Sequence, residues 1–187
     1  MQRRAWAVLG IAFALFCALC ASLTFGAYFF VYESGYPILG ELTVSRGGVG
    51  LVGEDFSERF AFDSQRVNRG DTVLTDPYDP QSQSTLAFRG IDDEVFASIT
   101  LKNASELQLL RARQPRFEWS QNGYEVIMAG VQGEFDVLIS PLTDRRVNMI
   151  FVLPNETTVT MDTPGHYTLQ LSAEAVRLVT NSGEAQL

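Results

Sequence analysis

The sequence predicts one apolar helix followed by an all-β domain. No charged residue occurs between Ala5 and Val31, and this run is long enough to cross a hydrocarbon layer of about 30 Å. After Ser84, short segments of alternating apolar and polar residues recur every 8 to 12 residues or so, separated by Gly, Asn and Pro. This pattern is typical of all-β domains. Local periodicity leaves open a β-roll, a short β-solenoid, a barrel or a sandwich.

The charges around the apolar run predict its orientation. Arg3 and Arg4 precede it, and the next basic residue is Arg46. Because positive charge is retained on the cytoplasmic side, we expect a cytoplasmic N-terminus and an exported C-terminal part. The predicted domains are a cytoplasmic stub with a transmembrane helix (residues 1–35, with lipid contact through residues 5–31) and an extracytoplasmic domain (residues 36–187). The expected location is therefore a cell membrane, crossed once.

A cleaved signal peptide is the alternative to a retained anchor. Small residues between Ala18 and Ser22 would suit cleavage, but the apolar run continues to Val31, beyond what a signal peptide needs. Tyr28, Tyr32 and Tyr36 cluster at the exit, where aromatic side chains favour the membrane interface. These features favour a retained anchor.

The composition of the exported part excludes some partners. All 22 acidic residues follow the apolar run, together with 12 of the 14 basic ones, which gives a net charge of −10. Nucleic acid and anionic headgroups require a basic surface, so we expect neither to bind the domain. The only cysteines, Cys17 and Cys20, lie in the apolar run, so the exported part must be stabilised by packing rather than by disulfides.

The order of the elements begins with a helix break in ESGYPILG and a glycine-rich stretch of turns or bulges from Gly47 to Gly53. Arg69-Gly70-Asp71 is expected to form a turn. The predicted strands are Leu42–Ser45, Thr72–Thr75, Thr85–Phe88, Val95–Leu101, Glu106–Leu109, Phe117–Trp119, Tyr124–Met128, Gly133–Ile139, Val147–Leu153, Thr157–Met161, Tyr167–Leu171 and Val176–Thr180.

Several of these blocks resemble the FecR-like extracytoplasmic domain family. The resemblance rests on Gly70-Asp71-Thr72-Val73-Leu74-Thr75, on the paired alternating segments at residues 98–101 and 103–109, and on the Gly-to-Phe-x-Val segment at residues 130–137. It implies a β-rich domain that binds or transmits and has no known active site. Four residues precede the apolar run, so the sigma-factor-binding cytoplasmic domain of the signalling members is not expected here.

No motif predicts catalysis, a cofactor site or a metal site. His166 is the single histidine and has no second histidine or exported cysteine to complete a metal or nucleophile site. Asp76, Asp79 and the acids at residues 92–94 could approach a hard cation, but their spacing does not match a calcium loop. We therefore expect a protein that is not an enzyme.

Three aromatic residues form the candidate binding surface: Phe117, Trp119 and Tyr124. The expected function is a binding, sensory or scaffolding module of a cell envelope that contacts a partner protein. One alternative is a glycan-binding module that uses these aromatic residues. Another is an accessory subunit of a membrane complex, whose helix packs through small residues such as Gly10 and Ala14.

Overall fold

The computed structural model describes residues 2–117, 119–120, 122–141, 145–153, 157–172 and 175–186. The chain divides into two compact units. The first comprises residues 1–35 and 115–121, and the second comprises residues 36–114 and 122–187. Residues 115–121 thus group with the N-terminal segment, although sequence analysis placed them in the β domain.

The first unit contains the expected apolar helix. Helix α1 runs over Gln2–Tyr28 and continues into one π-helical turn, Phe29–Glu33, before the backbone becomes extended at Ser34. Val8–Val31 is long and apolar enough to cross a membrane, a property that N-terminal signal sequences share. Its large side chains are exposed, with Phe13 and Phe25 at 68% and 72%.

Fifteen strands follow in the described part of the chain. They are β1 (Gly35–Pro37), β2 (Gly40–Arg46), β3 (Val49–Val52), β4 (Glu58–Ala61), β5 (Ser64–Val67), β6 (Thr72–Thr75), β7 (Gln83–Arg89), β8 (Val95–Leu101), β9 (Glu106–Pro115), β10 (Tyr124–Ile139), β11 (Val147–Val152), β12 (Thr158–Met161), β13 (Gly165–Leu171), β14 (Val176–Ser182) and β15 (Ala185–Gln186). The expected all-β class is confirmed.

The strands form a nearly closed sheet with the character of a barrel or sandwich. This sheet has two halves, which enclose the core and which we call its two faces. The strand order of the first face is β4-β3-β6-β9-β10, continuing through β11 and β12 to β15. The other runs β5-β2-β7-β8-β10 and continues through β13 to β14. Where the residue register of a pairing is described, the strands are antiparallel, except that β10 and β11 are parallel.

Strand β10 joins the two faces. Its first half pairs with β9 and β11, and its second half, from Gly133 onward, pairs with β8 and β13. The pairing with β9 shifts between Gly130 and Gln132, and Gly133 has a φ of +115°. Such a φ is accessible to glycine and strained for other residues, so glycine permits the strand to change faces.

A single apolar core lies between the two faces. Alternate residues are buried in the strands that enclose the core, as the period of two requires, for example in β11 and β13. The largest fully buried side chains are Tyr167, Phe88, Phe96, Phe135 and Phe151. The core therefore comes from the alternating segments that the sequence identified as strands.

Two expectations about individual strands are wrong. Phe117 and Trp119 lie in a turn, because Pro115 ends β9 and the Ser120 amide donates to the Phe117 carbonyl oxygen at 3.0 Å. The two strands expected on either side of residue 130 are one continuous strand, β10. The structure also adds β3 within the glycine-rich stretch that was expected to form turns or bulges, and β4 and β5 in a region to which no strand was assigned.

Candidate functional site

The side chains considered for chemistry are used within the fold. Among the described residues, no group of three or more His, Cys, Asp or Glu side chains could hold a metal ion. Asp76 accepts a hydrogen bond from the Tyr78 amide at 2.8 Å, and Asp79 accepts one from the Gln81 amide at 2.9 Å. These two carboxylates shape their own loop. His166 is exposed at the start of β13, and its Nδ1 lies 3.4 Å from the Asn181 amide nitrogen.

The Arg-Gly-Asp tripeptide is a structural turn. Gly70 has a φ of +90°, and its amide donates to the Leu109 carbonyl oxygen at 2.7 Å. Asp71 is buried, and its Oδ2 accepts a hydrogen bond from the Asn68 amide at 2.8 Å. A receptor that reads this tripeptide needs an exposed carboxylate, and this one is held inside the domain.

The structure separates the three residues of the predicted binding surface. Phe117 and Trp119 stack, with ring centroids 5.0 Å apart and an interplanar angle of 19°. Tyr124 belongs to the second unit, where it is buried at the start of β10 and stacks on Phe96 with centroids 4.2 Å apart. Tyr124 is therefore a core residue, whereas Trp119 remains 62% exposed.

The strongest exposed apolar feature of the second unit lies along β4. Phe60 and Phe62 are 71% and 86% exposed, and their ring centroids are 6.5 Å apart. They are two residues apart on an extended segment, so they project from one face, whereas Ala61 between them is buried. We call β4 together with Phe62 the aromatic edge.

No strand of the described part of the chain pairs with the outer side of the aromatic edge. Strand β4 ends its face of the sheet and pairs with β3, from Val49↔Ala61 to Val52↔Glu58. Strand β5, three residues further along the chain, ends the other face and pairs with β2. The outer side of β4 therefore presents backbone N–H and C=O groups beside two exposed aromatic rings. Proteins usually protect such edges from pairing with other chains, so this open edge is a candidate site for the addition of a strand from a partner.

The turn before β4 adds a third exposed ring. Phe56 is 88% exposed and has a φ of +60°, which is unusual for a bulky residue. The turn is closed by the Phe56 amide, which donates to the Gly53 carbonyl oxygen at 2.9 Å. Its carboxylate, Asp55, accepts a hydrogen bond from the Ser57 hydroxyl at 2.6 Å, which lowers the Asp55 pKa. The backbone of Phe56 is strained, and the exposed ring makes no core packing that would compensate for the strain.

No protein-family model, curated protein or solved structure matches this chain.

Sequence reasoning passed over the aromatic edge, although the edge carries a readable signal. Phe60 and Phe62 alternate with Arg59, Ala61 and Asp63, which is the period of a strand with one aromatic face. The flanking glycines and acids obscured that period. Whether the aromatic face points to the core or to solvent depends on strand order, which the local sequence does not contain.

Proposed function

We propose that this chain is a non-catalytic envelope protein, held in a cell membrane by one retained helix, whose exported β domain binds a partner protein. The observation that carries the proposal is the aromatic edge, where exposed rings adjoin the outer edge of β4, which no other described strand than β3 pairs with. A contiguous exposed apolar surface beside a free edge is typical of a site for another protein. An added strand would pair with β4 through main-chain hydrogen bonds, and its alternate side chains would contact Phe60 and Phe62.

Charge supports a protein partner over nucleic acid. The segment after the apolar run carries a net charge of −10, and the aromatic edge has Glu58 at its start, Asp63 directly after it and one basic residue, Arg59. A phosphate backbone would be repelled by this surface. A strand of a partner protein is not repelled in this way, and any basic residues in it would be attracted to the acidic surface.

The anchored state is supported by the apolar helix and by Arg3 and Arg4 before it. A cytoplasmic N-terminus follows from the positive-inside rule, and residues 36–187 would then lie outside the cytoplasm. The resemblance to FecR-like domains adds a sensory or signalling role to the proposal, because members of that family bind or transmit across a membrane.

Site-specific crosslinking tests the aromatic edge. The full chain carries a photoreactive amino acid in place of Phe60 and is irradiated in the membranes of its own host. We expect a discrete protein adduct that weakens when Phe62 is replaced by Ser. The matched control is Leu138, which is 50% exposed and lies in β10, where it is paired on both sides, with His166 of β13 and Ser98 of β8. Equal adducts from both positions, or none from Phe60, would refute a binding site at the edge.

A catalytic role would contradict the proposal directly. The full chain, purified in mild detergent, is expected to leave a broad panel of ester, peptide, phosphate and glycoside substrates intact. An activity that copurifies with the protein, and that a substitution in the β domain abolishes, would replace the proposed binding function with an enzymatic one.

Glycan binding is the second candidate, and the stacked pair of Phe117 and Trp119 favours it. An exposed indole face supported by another ring suits the apolar face of a sugar. A glycan array probed with the full chain and with Trp119→Ala tests this candidate. Binding that the substitution abolishes would support it, and a blank array would exclude the sugars displayed.

A further inference from the structure

Arg116 and Phe117, in the turn after β9, pack on the end of the apolar segment within the first unit. The Phe117 ring meets the Phe30 ring edge-on, with centroids 6.1 Å apart. The Arg116 guanidinium carbon lies 4.5 Å from the centre of the Phe30 ring, which is within cation–π range. Trp119 stacks on the other ring of the turn, Phe117. We call this group the aromatic turn.

The depth of the aromatic turn follows from its partner. Phe30 is the penultimate residue of the candidate span Val8–Val31. When this helix crosses a bilayer, its last residues lie at the boundary between acyl chains and headgroups. A side chain that contacts Phe30 must lie at that boundary too.

The residue types of the turn suit the boundary. Tryptophan is enriched at the headgroup level, because its ring is apolar and its N–H can donate to polar groups. Arginine places its aliphatic stem against apolar surface and its charged end among lipid phosphates. The aromatic edge differs, because Glu58 at its start and Asp63 directly after it outweigh its single basic residue, Arg59, and this net negative charge would oppose contact with phosphates.

We propose that the aromatic turn is a second membrane contact, with Phe117 and Trp119 inserted at the headgroup boundary of a phospholipid bilayer and Arg116 placed to meet lipid phosphate. This inference rests on the retained anchor of the proposed function. It gives Phe117 and Trp119 a lipid ligand in place of a sugar or a protein, and it explains why a loop between two strands carries an exposed tryptophan stacked on a half-buried phenylalanine.

The chain provides its own matched probes, because Trp6 and Trp119 are its only tryptophans. The full chain is reconstituted in phosphatidylcholine vesicles as Trp6→Phe, which reports Trp119, and as Trp119→Phe, which reports Trp6 in the helix. Emission is compared in vesicles with a nitroxide on the headgroup and in vesicles with bromine deep in the acyl chains. We expect Trp119 emission to be blue-shifted relative to that of tryptophan in water. We also expect it to lose more intensity to the headgroup nitroxide than to the bromine deep in the acyl chains.

Two further variants keep the test specific. In a background without Trp6 and Trp119, Phe62→Trp places a probe on the aromatic edge, and we expect little quenching there. Phe30→Ala removes the ring that Phe117 and Arg116 contact. In that variant we expect a smaller loss of Trp119 emission to the headgroup quencher. The quenching of Trp6 should stay the same, because the helix still spans the bilayer.

The outcomes separate the two proposals. If Trp6 is quenched and Trp119 is not, the aromatic turn lies in water and the inference is wrong, while the anchor stands. If the intact mass from host membranes shows loss of the N-terminal segment, the retained anchor itself is wrong. If the Phe62→Trp probe is quenched as strongly as Trp119, the domain adsorbs without specificity, and the proposed role of the turn is overturned. Selective quenching of Trp119 that depends on Phe30 supports it.

Discussion

Gly133→Ala tests whether the crossing of β10 between the two faces depends on glycine. Gly133 has a φ of +115°, where a side chain strains the backbone. A Cβ atom added there would lie 2.4 Å from the Ser105 Cα and 2.2 Å from its hydroxyl oxygen. Either contact is too short for non-bonded atoms, and one of them involves backbone.

Ser105 cannot move aside cheaply. It is buried, its amide donates to the Thr75 hydroxyl oxygen at 2.8 Å, and its carbonyl oxygen accepts from the Thr75 amide at 3.0 Å. The Glu134 amide donates to the Ser105 hydroxyl oxygen at 3.1 Å. Relief of the overlap must therefore break hydrogen bonds that connect β10 to the neighbouring β6–β9 pair.

The expected loss combines two terms. A residue held in a sparsely populated backbone region costs about 1–3 kcal/mol. Overpacking against an immobile neighbour costs about 1–3 kcal/mol more. The sum, about 2–6 kcal/mol, is a large fraction of the 5–15 kcal/mol or so that stabilises a typical domain.

Urea unfolding of the full chain in mild detergent, followed by the β-sheet circular dichroism signal, measures this loss. The matched control is Gly50→Ala in β3, where the nearest atom to an added Cβ is 3.8 Å away and φ lies outside the positive region. We expect the control to lie within about 1 kcal/mol of the unmodified chain. If Gly133→Ala unfolds at the same midpoint as Gly50→Ala, the crossing does not require glycine.

Two further substitutions test local features of the second unit. Phe56→Asn should raise the free energy of unfolding in urea by about 1 kcal/mol, because asparagine tolerates the left-handed conformation and the exposed ring contributes no packing; a loss of stability would contradict this. The Glu41 carboxylate accepts hydrogen bonds from the Arg89 guanidinium at 2.9 Å and the Ser64 hydroxyl at 3.0 Å, and the Arg89 bond is the main cause of its lowered pKa. A lowered folded-state pKa gives stability that is present above the ordinary glutamate pKa and disappears as the pH falls through the folded-state value, so the stability difference between the unmodified chain and Glu41→Gln should narrow below about pH 4.3. A difference that stays constant across that range would show that ionisation of Glu41 does not contribute.

The pairing of residues in the sheet explains which sequence expectations were confirmed. Strand β8 runs over Val95–Leu101 and β6 over Thr72–Thr75, as the alternation predicted, because one buried face dictates a period of two along each strand. Strand β3 was missed because Gly50 interrupts its pattern. The apolar side chains of Val49 and Leu51 are nevertheless buried on one face.

The binding-site expectation shows the limit of residue type as evidence. Phe117, Trp119 and Tyr124 are close in sequence, but Pro115 and the turn after it remove the first two from the sheet, while β10 carries Tyr124 into the core. Exposure of an aromatic ring depends on what packs against it. That information is not contained in a stretch of eight residues or so, since strand partners are often far apart in the chain.

The sequence by itself determined the apolar helix, the all-β class, the acidic charge of the segment that follows and most strand positions, because each depends on residues near one another in the chain. Tertiary structure decided which strand is left unpaired at the aromatic edge, which face of it meets water and which aromatic residues find a partner. These depend on the order in which distant strands pair. Phe60 and Phe62 are exposed because they project from the side of the segment opposite the buried Ala61, and Phe96 lies in the core, where it stacks on Tyr124.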